Sequence, residues 1–288
     1  MITIDDLTTI RVEDPTRIGR LLAERRAPRM PTDGRLMMIA CDHPARGALS
    51  AAGRPMAMAD RRDLLARLVT ALSRPGVDGL LGTADIIEDL LLLGALDDKF
   101  VFSSLNRGGL AGAGFEADDR MTAYDVPGTT GAGLQGAKML LRIVLDDPAT
   151  ADTLQACGRA VTELNRDGRI ALVEPFLARH TGGRIVNDLT PEAVITSIAI
   201  AQGLGASSAY TWLKIPVTDR MEEVAAATTL PTLLLGGDPV GNPEDTYARW
   251  ESALKLPPVR GLMVGRSLLY PPDDDVAAAV DIAAGMVH

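Results

Sequence analysis

From residue 36 onward, short apolar runs alternate with stretches of helical periodicity. Leu36 to Cys41 is an uninterrupted apolar run of the length of a buried strand. Between 60 and 72, Leu64, Leu65, Leu68, Val69 and Leu72 recur at helical spacing. Gly79 to Gly82 reads as a strand, Ile86 to Leu93 as a helix and Phe100 to Ser104 as the next strand. Lys138 to Val144 and Ile170 to Glu174 are strands separated by a helix from about Asp147 to Asn165. Thr190-Pro191 opens a helix to about Gly203. Tyr210 to Ile215, Leu230 to Leu235 and Gly261 to Val264 are the last strands, each followed by a helical pattern. Ahead of them, Asp14-Pro15 has the chemistry of an N-cap and first helical residue, predicting a helix to about Arg26 within an N-terminal extension, residues 1–35.

Eight strands separated by helices imply a parallel sheet. In a chain of 288 residues they predict one domain over 1–288, an α/β closed (β/α)8 TIM barrel, a fold that typically takes about 250 residues. An open doubly wound sheet is the runner-up. Two irregular segments follow strands: Asp42 to Ala59 after the first, and Gly108 to Gly136 after the third, in which Met121 to Val126 has no readable state. Long loops after strands belong to the active-site face of a barrel.

Composition narrows the class. Apolar residues make up 47% and aromatics 3%, which favours packed helices over a β-sandwich. A net charge of −9, with no basic cluster interleaved with aromatics, argues against nucleic acid as a partner. No apolar run reaches membrane-spanning length, and no basic-then-apolar leader opens the chain. Cys41 and Cys157 have neither metal-binding nor redox spacing. These features predict a cytoplasmic protein, and the chain is expected to need no cofactor.

The candidate chemistry centres on Lys214, a lone cation in the apolar run Tyr210-Thr211-Trp212-Leu213-Lys214-Ile215-Pro216. Burial disfavours an ammonium, which is one way a lysine becomes a nucleophile toward a carbonyl. Inward residues at the carboxyl ends of barrel strands converge on one site. Strand alternation places Asp42 on the face of Met38 and Ala40, Lys138 on that of Leu140 and Arg142, and Glu174 on that of Ile170 and Leu172. Asp42, Lys138, Glu174 and Lys214 are thus expected in one mouth. Two ammonium groups about 4 Å apart would repel by about 4 kcal/mol at an effective dielectric near 20, while a nearby carboxylate would oppose that effect. An ion-pair network that merely braces the barrel is the competing reading.

The last two strands end Leu234-Leu235-Gly236-Gly237-Asp238 and Met263-Val264-Gly265-Arg266-Ser267. Glycine lets backbone N–H groups approach an anion, Arg266 adds charge, and loops after strands seven and eight often bind phosphate in barrels. Arg142, about 13 Å beyond Lys138 along its strand, and Arg107, after the third strand, are candidates to read a carboxylate. His43 reads as a loop or substrate-contact residue, Cys41 as outward-facing core, and Asp273-Asp274-Asp275 as a helix start.

In this order the motifs resemble those of the class I, Schiff-base aldolases of the deoxyribose-phosphate and tagatose-bisphosphate type. They are Ala-Cys-Asp42-His43, Lys138-Met-Leu-Leu, Val173-Glu174-Pro175, Leu213-Lys214-Ile-Pro, Leu235-Gly236-Gly237 and Val264-Gly265-Arg266. The chain also looks like a subgroup of barrels associated with inositol catabolism. The resemblance implies Lys214 as the Schiff-base lysine, Lys138 and Glu174 as catalytic neighbours, and Asp42 near the cleaved bond. It further implies a phosphate held by Gly236, Gly237, Gly265 and Arg266, no metal, and a homo-oligomer. The implied reaction is cleavage of a phosphorylated keto sugar or sugar acid, with 5-dehydro-2-deoxy-6-phosphogluconate as one such substrate. The chain departs from the tagatose-bisphosphate pattern in having Arg142 where tyrosines are expected late in the fourth strand. An acyl transferase using the same lysine and a non-catalytic sugar-phosphate-binding protein are the other readings.

Overall fold

The computed structural model describes residues 2–106, 109–237 and 242–288. Nine strands are formed among them: β1 Leu36–Cys41, β2 Gly79–Gly82, β3 Phe100–Ser104, β4 Gly136–Val144, β5 Ile170–Thr181, β6 Arg184–Asn187, β7 Thr211–Pro216, β8 Thr232–Leu235 and β9 Val259–Val264. Eight of them pair in parallel as the ring β1-β2-β3-β4-β5-β7-β8-β9, closed by β9 against β1. This is the (β/α)8 barrel expected from the alternation, and it excludes the open sheet.

Strand parity sorts the core into an inside and an outside. Met38, Ala40, Leu81, Phe102, Leu172, Leu233 and Met263 pack together within the barrel. The alternate residues Ile39, Cys41, Val101, Met139, Val173, Leu213 and Val264 pack outward with the helices. Cys41 is therefore core, as its parity implies, and burial raises its thiol well above the ordinary range. Among the described residues no helix is long and apolar enough to cross a membrane.

The differences from the sequence-based expectation are local. Residues before β1 form two α-helices, Leu7–Glu13 and Thr16–Glu24, rather than one. The second begins with Pro15 as its N-cap, not Asp14. Asp14 instead accepts hydrogen bonds from Thr16 Oγ1 (2.8 Å) and Arg20 Nη2 (2.7 Å), ties that its own helix cap would have to forgo. This segment packs on the barrel through Arg11, which pairs with Glu88 and Asp89, and through Arg25, which donates to the carbonyls of Lys99 and Gly133. Tyr210 falls outside β7, its backbone N–H held by Asn165 Oδ1. Asp125 caps a short helix, Val126–Gly131, in the stretch whose state the sequence left open. The acidic run before the last helix, Val276–Val287, does start it: Asp275 accepts from the N–H of Ala278.

The largest difference is at the carboxyl ends of the strands. β5 continues past Glu174 to Thr181 and folds back as the antiparallel β6. Gly182 and Gly183, both at positive φ (58° and 77°), supply the two-residue turn whose twist matches a hairpin. Ile185 of this hairpin packs on Ala117, Val144 and Ala178, seating the loop after β3 against it.

Candidate active site

The four charged residues expected at the barrel mouth meet there. Lys214 Nζ lies 2.7 Å from Glu174 Oε1, and Lys138 Nζ lies 2.7 Å from Glu174 Oε2 and 2.8 Å from Asp42 Oδ2. Glu174 thus bridges two ammonium groups, and the lysines are joined through a carboxylate rather than set against each other. All four are buried, between 2 and 7% exposed. Two cations and two carboxylates cancel, which is the condition under which such charges are tolerated away from water. Burial works to raise the carboxyl of Glu174, but Lys138 and Lys214 together outweigh it and hold the group down to about 2. Glu174 is therefore an anion at any ordinary pH.

Ser104, at the end of β3, donates to Asp42 Oδ2 at 3.1 Å and steadies that carboxylate. It shares parity with the inward Phe100 and Phe102, so the signal for it was present in the strand pattern.

These residues floor a cavity of 830 Å³ whose wall also includes His43, Arg142, Leu235, Gly236, Gly237, Gly265 and Arg266. Thus every described candidate shares one chamber; Arg107 lies outside the described residues. Glycine is required at two of these positions by proximity. A Cβ on Gly265 would sit 2.2 Å from the carbonyl oxygen of Ala40, and one on Gly236 would sit 2.5 Å from Val264 Cγ1. The side chain of Arg266 reaches the carbonyl of Ser50, in the loop after β1 (3.5 Å).

His43 lies against Gly265, with Nδ1 3.9 Å from Asp42 Oδ1, beyond hydrogen-bond reach. Burial, reinforced by Arg266 and Lys214 and opposed by Asp42, pushes its imidazole down to about 3. It is neutral in the folded protein and suits a contact residue more than a proton carrier at neutral pH. A stability prediction follows with a definite sign. Below the ordinary value of 6.5 the unfolded chain binds a proton on His43 that the folded chain refuses until about pH 3. Stability should fall across that window as pH falls, by at most about 1.4 kcal/mol per pH unit from this residue. His43→Gln should flatten the decline, read as Tm against pH; an unchanged slope would show that other groups set it.

Arg142 is already paired within the chamber wall. Its Nε and Nη2 grip Asp119 at 2.8 and 2.7 Å, and Nη2 also donates to the carbonyl of Glu116. The guanidinium lines the cavity, but one edge is committed to Asp119 as a brace for the loop after β3. Asn106 strengthens that brace: its amide oxygen accepts from Leu140 N–H at 2.7 Å, and its nitrogen donates to the carbonyls of Leu140 and Asp119. The loop after β1 joins it through Arg46, whose Nε donates to Gly109 O at 2.8 Å. Phe176, Ile185, Val186, Asn187 and Leu189 add the hairpin side of the wall, beyond Glu174-Pro175, where the sequence pattern resembles a strand end.

Structural comparisons agree on the closed-barrel fold. A Schiff-base-forming fructose-1,6-bisphosphate aldolase superposes with a TM-score of 0.69 at 20% identity, over 94% of this chain and 100% of that one. An archaeal fructose 1,6-bisphosphate aldolase gives 0.64 at 18%, over 94% and 98%. The chain belongs to the Cgl0159-like family, whose model matches residues 34–284. The crystal structure of Cgl0159 from Corynebacterium glutamicum is 53% identical, with a TM-score of 0.96 over 99% of this chain and 96% of that one. No curated protein matches the sequence.

Proposed function

We propose that the protein is a class I aldolase that cleaves a phosphorylated keto sugar or sugar acid through a Schiff base on Lys214. The observation that carries this reading is the bridge Lys214–Glu174–Lys138, both contacts 2.7 Å, at the floor of a chamber walled on one side by the Gly236-Gly237 and Gly265-Arg266 strand ends. Within that class we put 5-dehydro-2-deoxy-6-phosphogluconate first, giving dihydroxyacetone phosphate and malonate semialdehyde. The protein would act as a cytoplasmic homo-oligomer, with Gly236, Gly237, Gly265 and Arg266 at the phosphate.

The chemistry assigns each group a task. Lys214 passes a proton to Glu174 and adds to the ketone carbon. The carbinolamine then takes a proton on its oxygen and loses water, leaving an iminium ion. A carboxylate, here Asp42, takes the proton of the hydroxyl on the carbon to be released. The carbon–carbon electron pair moves into the iminium, the aldehyde departs and an enamine remains. Protonation of the enamine carbon and hydrolysis release the ketone phosphate and restore the amine. The proton affinity of Glu174 rises when Lys214 loses its charge, because one of the two cations holding that carboxyl down has gone. Glu174 is therefore a better base once Lys214 is neutral. Lys138 keeps the two carboxylates oriented and faces the developing oxyanion.

Borohydride reduction tests the reading. Incubation with dihydroxyacetone phosphate and reduction should add the mass of one reduced ketone phosphate, on Lys214 in the peptide map. Cleavage of the ketose should persist in EDTA. An adduct-free protein that nonetheless binds the ketone phosphate would mark a binding protein; dependence of turnover on coenzyme A would mark an acyl transferase.

A further inference from the structure

A second charged cluster lies on the wall of the same chamber: Arg46, Glu116, Arg142 and Asp119. The catalytic steps above do not use it. Pairing of β4 with β5 sets Leu140 level with Glu174 and Arg142 level with Phe176. Arg142 is therefore two residues beyond the Glu174 layer, about 6.6 Å further along the strand toward the opening. The two carboxylates of the cluster are held very differently. Asp119 is 1% exposed and takes two short bonds from Arg142, 2.7 and 2.8 Å. Glu116 has its Oε1 3.4 Å from Arg142 Nη1 and 3.8 Å from Arg46 Nη2, both longer than the usual charge-assisted bond of about 2.7–2.9 Å. Its Oε2 accepts from Gly112 N–H at 3.1 Å, a neighbour on its own loop. Its side chain is 12% exposed and faces the chamber.

Charge decides what this arrangement can accept. Among the described residues of the cluster, two arginines and two carboxylates sum to zero. A substrate carboxylate added beside them would leave an uncompensated anion in a half-enclosed wall, which is costly. One that takes the place of Glu116 leaves the total unchanged and gains shorter bonds, while Glu116 turns to water.

We propose that Glu116 stands in for a carboxylate of the substrate: the acid end of the released aldehyde fragment docks between Arg46 and Arg142, displacing Glu116. This rests on the aldolase reading and narrows it to sugar-acid phosphates. The offset of about 6.6 Å along the strand from the Glu174 layer fits a fragment of two to four carbons between the cleaved bond and the carboxylate.

The test runs the reaction as condensation. The protein is first charged with dihydroxyacetone phosphate, and the Lys214 adduct is verified by borohydride and mass. Acceptors are then compared at each chain length from two to four carbons: an aldehyde ending in carboxylate against one ending in hydroxymethyl. The acid should be preferred by about tenfold in kcat/KM at one length at least. Arg46→Met should lower the acid-to-neutral ratio by about tenfold. Glu116→Gln should lower the KM of the acid, since the resident charge no longer competes. Preference for the neutral aldehyde at every length, or an unchanged ratio in both variants, overturns the proposal. Failure to form any Lys214 adduct removes the aldolase reading itself, so the two failures are separable.

Discussion

Lys214→Ala should lower turnover by about 10⁴-fold or more and abolish the borohydride adduct, while affinity for the ketone phosphate stays within about threefold. The split follows from the geometry. Lys214 is at the end of β7 on the chamber floor, whereas the glycines and Arg266 assigned to phosphate belong to the ends of β8 and β9. Removing the amine deletes the covalent step and leaves the anion contacts in place. The substitution also leaves Glu174 with one ammonium partner at 2.7 Å, Lys138, so the carboxylate is not stranded and the fold should survive. Lys214→Arg is the stringent companion. It keeps a cation near Glu174 but supplies no neutral amine at working pH, so it should be as inactive as the alanine variant. Residual turnover of the arginine variant above one hundredth of wild type would assign the chemistry to another group, with Lys138 the first to examine by peptide mapping.

What was legible in the sequence follows from periodicity. A parallel barrel strand shows its inward set at every second residue, so periodicity alone places Asp42, Lys138, Glu174 and Lys214 on the inward faces of their strands. The ring of β1-β2-β3-β4-β5-β7-β8-β9 brings those faces together. Pairing was not legible, because it depends on where side chains end. Two inward lysines read as mutually repelling cations, yet Glu174 sits between them. For Arg142 the sequence left open a substrate carboxylate or a neighbouring Asp as partner, because Asp119 and Glu116 lie in a Gly-rich stretch with no period, and only the folded loop delivers them. The hairpin β5–β6 was hidden differently. Glu174-Pro175 looks like a strand end, and the Gly182-Gly183 turn that marks the hairpin comes well after it. Asp14-Pro15 erred by one position because an aspartate before proline satisfies cap chemistry and local ion pairing equally well in sequence.

Lys138→Met and Glu174→Gln should move the pH profile of Schiff-base formation in opposite directions. Around Lys214 the wild-type set holds one other cation and two carboxylates. Removing Lys138 leaves Lys214 facing two carboxylates, which favour its charged form, so adduct formation should require higher pH. Removing the charge of Glu174 leaves two ammonium groups and one carboxylate, which favours the neutral amine, so adduct formation should extend to lower pH. Glu174→Gln should nonetheless lose about 10²- to 10⁴-fold in kcat, because the proton carrier beside the amine has gone. Its acid stability should change as well. Glu174 is held at about 2 in the fold against an ordinary value of 4.5, so its stabilisation is complete above about pH 4.5 and is lost as pH falls toward 2. The glutamine variant should be less stable at neutral pH and show a shallower loss on acidification. Parallel shifts of the two profiles, followed by borohydride trapping across pH, would show that Glu174 does not set the charge of Lys214 and would move that role to Asp42.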